Sequence, residues 1–134
     1  MILPQFYTDD IIKRAILEDI NYVDVASDYL ISEEQRDEAY FVSKADGVLC
    51  GIDVAMRVFE LLDDSFTAKV YMHDGDKVKK GDLIAEFSGK TTLLLKGERT
   101  ALNLLQHMSG IATATAKAVK LCEGTKASIA DTRK

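Results

Sequence analysis

The sequence contains few of the residues that mark special protein classes. Of its 134 residues, eight are glycine, none is tryptophan, and Pro4 is the only proline, which excludes collagen-like and low-complexity classes. Cys50 and Cys122 are the only cysteines and form no CxxC pair, so a disulfide framework and a four-cysteine zinc site are excluded by number. Because unpaired thiols are typical of a reducing compartment, we expect a cytoplasmic protein.

Long hydrophobic runs and an excess of positive charge are also missing. The longest apolar stretches, such as residues 93–95, are far too short to cross a bilayer, and the N-terminal residues lack the basic and apolar regions of a signal peptide. There are 17 Lys and Arg against 22 Asp and Glu, a net charge of −5, whereas nucleic-acid binders normally carry a basic excess. We therefore expect neither nucleic acid nor a membrane as a partner.

The composition that is present indicates an ordinary globular chain. Hydrophobic residues make up 47% and charged residues 29%, and 134 residues fit one domain with its own core. A complete (β/α)8 barrel needs about 250 residues. The chain therefore cannot hold such a barrel by itself.

Periodicity predicts a mixture of helices and strands. Apolar residues recur at helical spacing over residues 9–19, with Thr8 as the expected N-cap, and again over residues 53–62. Residues 21–35 have no clear period and are predicted to form a loop. Strands are predicted where short segments are β-rich or alternate in polarity, namely residues 38–50 with an interruption at Gly47, 66–72, 83–87 and 92–96.

The longest predicted helix begins at Gly97-Glu98 and ends before Gly124. One face of it is polar but poor in charge, with Arg99, Asn103, Gln106, Gly110 and Thr113 at alternating spacings of four and three. Beside the free N–H groups of a helix start, Arg99 would suit a carboxylate or a phosphate. From the pattern alone, an exposed arginine paired with Glu98 or another acid is the favoured alternative.

A segment rich in glycine and lysine, HDGDKVKKGDLIAEFSG, predicts a tight hairpin of the β-hammerhead type. Gly75 and Gly81 can adopt positive φ there, and Val78 can enter the core. The pattern resembles biotinyl and lipoyl carrier domains, but its lysines do not stand in the Met-Lys-Met setting of a carrier. A structural role in a sheet is therefore preferred.

The remaining ionisable residues give no catalytic set. Adjacent acids such as Glu18-Asp19 and Asp63-Asp64 point to different sides of a helix, so they are interpreted as solvated faces and caps. His73 and His107 lack partners at metal-ligand spacing. No nucleotide-binding loop or nucleophile elbow is present.

The segment ASIADTRK predicts a short strand that ends in hydroxyl and cationic side chains. α/β barrels place substrate-binding groups at such strand ends. Arg133 offers a planar fork for a carboxylate and Lys134 a point charge. A basic tail is the alternative.

Taken in order, these segments resemble the quinolinate phosphoribosyltransferase family. The family's ALxED motif appears as AILED at residues 15–19, and GVLCGIDVAMRVFELLD resembles another family segment. DGDKVKKGDLIAEFSG then precedes ERTALNLLQHMSGIATAT, the family's most distinctive run, and ADTRK matches the opening of a further motif. The resemblance covers nearly the whole chain.

The resemblance implies an α+β fold. Residues 1–104 would form an N-terminal domain with a hammerhead or sandwich-like sheet and helices, and residues 105–134 the connecting helix and first strand of an incomplete α/β barrel. Members of the family are much longer. We therefore expect the 134-residue chain to be inactive alone because most of the barrel is missing.

The resemblance also implies a reaction, a phosphoribosyl transfer from 5-phosphoribosyl 1-diphosphate to quinolinate with loss of CO2, which gives nicotinate mononucleotide for NAD biosynthesis. Arg99, Thr132, Arg133 and Lys134 are the implied substrate-binding residues, and no catalytic residue is assigned. Mg²⁺ would accompany the diphosphate, with its ligands outside this chain. A homodimer with shared active sites is implied, in which the arginine matching Arg99 reaches into the partner's barrel.

Three alternatives remain open from the sequence. A nicotinate phosphoribosyltransferase or a molybdate-associated relative would share the architecture without the decarboxylation. A biotinyl or lipoyl carrier, or another binding module, would use the predicted hairpin. A non-catalytic domain that pairs with full-length subunits is the third.

Overall fold

Helices surround two small antiparallel sheets in the computed structural model, which describes residues 4–20 and 24–132, apart from the side chains of residues 25 and 26. The described helices are α1 (Gln5–Ile20), α2 (Val25–Leu30), α3 (Ile52–Leu62) and α4 (Thr91–Cys122). The described strands are β1 (Arg36–Val42), β2 (Gly47–Val48), β3 (Thr67–Val70), β4 (Lys77–Val78) and β5 (Leu83–Lys90). The α+β class predicted from the sequence is confirmed, and the described residues form no closed barrel.

The larger sheet has the order β1-β5-β3, and both neighbours run antiparallel to β5. On β5, buried Phe87 lies opposite Ala39 of β1 and Ala68 of β3. β2 and β4 form a separate two-stranded ladder. Because one face of the larger sheet is apolar, the helices pack against that face.

A cluster of phenylalanines fills the space between this sheet and helix α3. The ring of Phe59, which is 2% exposed, lies 5.0 Å from that of Phe87 and 5.3 Å from that of Phe66, measured between centroids. Phe41 meets Phe87 edge-on at 4.9 Å. Such arrangements are favourable for aromatic pairs beyond the area they bury. This cluster fixes α3, and through it α4, against the sheet.

The predicted hairpin is only partly correct. Gly75 and Gly81 have positive φ, 96° and 98°, and Val78 is buried, as expected. However, β4 pairs with β2 rather than with β5, so the two arms of the predicted hairpin belong to different sheets. The turn between the two arms is held by Ser43, which directly follows β1. The N–H of Ser43 donates to the carbonyl of Asp82 at 2.9 Å, and the carbonyl of Ser43 accepts the N–H of Gly81 at 2.8 Å.

The start of the longest helix was predicted wrongly. The predicted strand at 92–96 is the first turn and a half of α4, which begins six residues before Gly97. A three-residue apolar run such as 93–95 does not distinguish strand from helix by period. The change of direction is fixed by a buried carboxylate, because Asp63 Oδ2 accepts the N–H of Lys90 at 2.8 Å.

Asp63 stabilises this corner as an ionised group. Burial raises the pKa of its carboxyl, but hydrogen bonds from the Ser65 hydroxyl, the Lys90 N–H and the Ser65 N–H outweigh burial and leave the pKa below its usual value. Its partner distances are 2.6–2.9 Å. The prediction that the acids at 63–64 serve as caps is therefore confirmed for Asp63, although this residue is buried rather than solvated.

Other predicted elements differ at their ends. Helix α1 begins at Gln5, so Thr8 lies inside it and is not the N-cap; the Thr8 hydroxyl contacts the Pro4 carbonyl at 3.5 Å. Residues 25–30 of the predicted loop form the short helix α2. Residues 127–132 were predicted as a strand, but they do not form one. None of the described strands pairs with them, so their backbone has no sheet in which to form hydrogen bonds.

Gly97 and Gly110 of α4 provide opposite stability predictions. A Cβ on Gly97 would lie 2.8 Å from the Phe59 ring, whereas one on Gly110 meets nothing within 4 Å. Gly97→Ala should therefore lower the free energy of unfolding by about 1–2 kcal/mol, since overpacking exceeds the gain in helix propensity. Gly110→Ala should raise it by about 0.5–1 kcal/mol. Urea unfolding of both variants measures these changes. If the free energy of unfolding rose in Gly97→Ala as it does in Gly110→Ala, the close packing at Gly97 would be contradicted.

Candidate functional site

Arg99 lies on the solvent side of α4, in its third turn. Its guanidinium Nη1 donates to Oδ1 of Asp19, near the end of α1, at 3.0 Å. The Arg99 side chain is 75% exposed and that of Asp19 is 24% exposed. The alternative from the sequence, an exposed arginine paired with an acid, thus describes the contact seen, and the acid is Asp19 rather than Glu98.

The earlier start of α4 changes the chemistry expected around Arg99. Arg99 was predicted beside the free N–H groups of a helix start, but it is the ninth residue of α4. Its own backbone N–H is therefore inside the helical hydrogen-bond ladder. Anion binding at this position must depend on the guanidinium, without help from unpaired backbone donors.

The other predicted substrate-binding residues lie far along the chain from Arg99. Thr132 is exposed, and no hydrogen bond or ion pair within residues 4–20 and 24–132 joins it to the folded body. Arg133 and Lys134 lie outside the described residues. Along α4, Arg99 and Cys122 are separated by about 35 Å at 1.5 Å per residue. Within residues 4–20 and 24–132, no hydrogen bond or ion pair therefore joins Thr132 to Arg99.

The second half of α4 is fixed to β2 and to the loop that follows it. The Ser109 hydroxyl accepts from the N–H of Cys50 at 3.0 Å and donates to its carbonyl at 3.1 Å. One turn later, Thr113 Oγ1 accepts the N–H of Val48 at 2.9 Å. Of the predicted polar face, Thr113 is therefore used structurally, while Arg99, Asn103, Gln106 and Gly110 are exposed.

Two further carboxylates accept backbone N–H groups, one at a helix start and one in a turn. Asp74 Oδ1 accepts the N–H groups of Gly51 and Ile52, at 2.8 and 3.0 Å, at the start of α3. Asp76 Oδ2 accepts the N–H of His73 at 2.7 Å. Burial and the nearby Asp74 raise the pKa of the Cys50 thiol, which disfavours a reactive thiolate there.

The described residues do not fit a magnesium site. Within residues 4–20 and 24–132, no group of three or more His, Cys, Asp or Glu side chains is placed to hold a metal ion. Mg²⁺ prefers octahedral oxygen coordination. No metal ligand is therefore assigned within residues 4–20 and 24–132.

An open cleft of about 930 Å³ runs between β1, the 44–49 loop and α4. Its floor is formed by core side chains, among them Phe41, Phe87 and Leu105, with Gln106 and Lys117 at the rim. Neither Arg99 nor Thr132 lines it. An apolar floor is unfavourable for a ligand with two carboxylates, so the cleft is not the predicted substrate site.

None of the described helices is long and apolar enough to cross a lipid bilayer.

Comparison with known proteins identifies a family over most of the folded part. A family model described as "Quinolinate phosphoribosyl transferase, N-terminal domain" matches residues 24–109. A protein of Bacillus subtilis named as a probable nicotinate-nucleotide pyrophosphorylase [carboxylating] is 40% identical over 124 residues, which cover 92% of this chain and 43% of that protein. The chloroplastic nicotinate-nucleotide pyrophosphorylase [carboxylating] of Arabidopsis thaliana is 37% identical over 113 residues, covering 84% of this chain and 32% of that protein.

Solved structures agree with this result. The crystal structure of NadC from Streptococcus pyogenes superimposes with a TM-score of 0.94 at 36% identity and covers 99% of this chain. The chain spans 47% of that structure, so it is about half as long as the proteins it matches. The similarity includes the elements that carry Asp19 and Arg99.

Proposed function

Because the chain belongs to the quinolinate phosphoribosyl transferase family, matching the model of its N-terminal domain, we propose that it supplies that domain in a phosphoribosyl transfer to quinolinate. The proposal rests on the observation that Arg99 is exposed on the continuous helix α4, where its side chain has a single described contact, to a carboxylate. Quinolinate is a dianion, and a guanidinium fork matches a carboxylate in shape and charge.

In the proposed reaction, the ring nitrogen of quinolinate attacks C1 of 5-phosphoribosyl 1-diphosphate. The bond from C1 to the diphosphate breaks and the diphosphate leaves with that electron pair. The bond from ring C2 to its carboxylate then breaks, and its electrons stay on the ring as CO2 leaves and a proton is taken up. The products are nicotinate mononucleotide, diphosphate and CO2.

Arg99 would neutralise part of the substrate's charge so that it can approach an anionic donor. Thr132, Arg133 and Lys134 are proposed as further substrate contacts. A homodimer with a shared site is proposed, in which Arg99 of one chain joins residues 132–134 of its partner; the separation of about 35 Å along α4 between Arg99 and Cys122 supports it. The proposed reaction takes place in the cytoplasm, where the two free thiols stay reduced.

A fusion protein tests the proposal. In this fusion, the chain is joined after Lys134 to the part of the Streptococcus pyogenes NadC that follows the matched region. We expect the fusion to form nicotinate mononucleotide and an equal amount of CO2 from quinolinate, with no product from nicotinate. The unfused 134-residue chain should show no turnover.

The controls are the intact Streptococcus protein and its second part without any N-terminal domain. A fusion that is folded and has the size of the intact protein, yet does not use quinolinate, would disprove the proposed function. A preference for nicotinate would instead support the relative that does not decarboxylate. The family match already favours a transferase over a carrier module.

A further inference from the structure

We propose that Asp19 is a positioning residue for Arg99, one that holds Nη1 of the guanidinium so that its Nε and Nη2 face a substrate carboxylate. This role rests on the proposed function and adds a residue to its site. It is carried by the geometry of one contact between α1 and α4, whose two partners are 80 positions apart in the sequence.

The contact uses only part of the guanidinium. Arg99 Nη1 lies 3.0 Å from Asp19 Oδ1, and Asp19 is the only described residue with a hydrogen bond or ion pair to the Arg99 side chain. A guanidinium carries five N–H donors in a fixed plane, and the edge formed by Nε and Nη2 can bind a carboxylate with two parallel hydrogen bonds. With Nη1 held by Asp19, that edge stays available.

The two partners differ in how firmly they are held. Asp19 is 24% exposed and Arg99 is 75% exposed, so the carboxylate is the sheltered partner. Helix α1 is itself anchored, because Ile12 and Ile16 are buried in the core and Asp9 binds Arg57 of α3 through two contacts of 2.9 Å. Asp19 therefore presents an anchored acceptor to a long side chain that is mostly exposed to solvent.

Restricting that side chain before binding should improve affinity. Immobilising a rotamer-rich side chain opposes association, and a residue already held avoids part of that loss. Two effects of Asp19 compete, since its negative charge also repels a dianion. If positioning dominates, removing the charge weakens substrate binding; if repulsion dominates, removing it strengthens binding.

The ion pair between Asp19 and Arg99 is not expected to contribute much to the folding stability of the chain. Ion pairs with so exposed an arginine contribute little to folding. The sequence offers a matched control on the same helix, where Asp10 pairs with Arg14 at 2.7 Å and the arginine is exposed to a similar extent, 78%. Asp10→Asn removes the same charge from α1 without removing the contact to Arg99.

The first measurement uses the 134-residue chain as it stands. The ¹⁵N order parameter of the Arg99 Nε–H group is measured by NMR, with its signal assigned by its loss in Arg99→Lys. We expect Asp19→Asn to lower this order parameter and Asp10→Asn to leave it unchanged. An unchanged value in Asp19→Asn would overturn the inference.

The second measurement uses the kinetics of the fusion. Asp19→Asn should raise KM for quinolinate about 3- to 10-fold with kcat nearly unchanged, and Asp19→Glu should restore most of the loss. The midpoint of thermal unfolding should stay within about 2 °C. In an Arg99→Ala background, Asp19→Asn should not raise KM any further, because the group that it positions is gone and only the repulsion of the dianion is left to remove.

A KM that is unchanged or lowered in Asp19→Asn would show that positioning is not the role of Asp19. An equal rise of KM in Asp10→Asn would also exclude that role, because the effect would then come from the charge of α1 alone. Failure of the proposed function is seen separately, since the unsubstituted fusion would then lack quinolinate turnover, or Arg99→Ala would not change it.

Discussion

Arg99→Ala in the fusion is expected to lower kcat/KM for quinolinate about 100-fold, which corresponds to about 2.8 kcal/mol. Losing one partner of a close charge pair with a bound carboxylate typically weakens binding by 2–5 kcal/mol, as an order of magnitude. KM should rise because the dianion loses a counter-charge. A lower kcat should accompany it because a misplaced ring nitrogen approaches C1 less often in a reactive geometry.

Two further variants separate charge from shape. Arg99→Lys retains the charge but not the planar fork, so its loss should lie between that of Arg99→Ala and no change. Arg14→Ala removes another exposed arginine, one that is paired with Asp10 on α1, and should leave kcat/KM unchanged. Steady-state kinetics equal to those of the unsubstituted fusion would refute a substrate-binding role for Arg99.

Phe59→Ala should destabilise the 134-residue chain by about 3–5 kcal/mol, the range for removing a large aromatic side chain from a core. The Phe59 side chain is 2% exposed, stacks with Phe66 and Phe87, and is the surface on which Gly97 of α4 rests. Its loss would remove contacts with both the sheet and α4 and leave a cavity between them. The measurement is the free energy of unfolding from urea titration.

Phe6→Ala is the matched control, since Phe6 is 77% exposed on α1, and its free energy of unfolding should change by less than about 0.5 kcal/mol. Should Phe59→Ala fail to fold at all, Phe59→Leu still gives a measurable value between that of the original chain and complete loss. A change below about 1 kcal/mol in Phe59→Ala would mean that the aromatic cluster is not the centre of the core.

The sequence predicts best those elements whose pattern is set by burial on one face. Helix α3 was predicted over 53–62 and found at Ile52–Leu62, because its apolar residues face the sheet at helical spacing. The α+β class and the buried position of Val78 were likewise predictable. Short elements were not: the period of residues 25–30 is too brief to identify α2, and a run of three leucines fits either state.

Tertiary contacts account for the remaining differences. The start of α4 depends on Asp63, a residue 27 positions before Lys90, and no local pattern reports such a contact. The pairing of Asp19 with Arg99 could not be predicted for the same reason, since 80 positions separate the two residues in the sequence. The AILED motif included Asp19 without indicating its partner.

The domain boundary predicted between residues 104 and 105 remains a prediction, and it lies within the uninterrupted helix α4.

The length of α4 has a mechanical consequence. Its 32 residues extend for about 48 Å. Gly97 packs against Phe59 near its start. Further along, Ser109 and Thr113 accept hydrogen bonds from the N–H groups of Cys50 and Val48. Beyond Thr113 the helix continues for nine residues, about 14 Å, so turning this arm by about 5° at Thr113 would displace its last residue by about 1 Å. Small changes of packing where Ser109 and Thr113 hold the helix would therefore move Cys122, from which the chain continues toward Thr132.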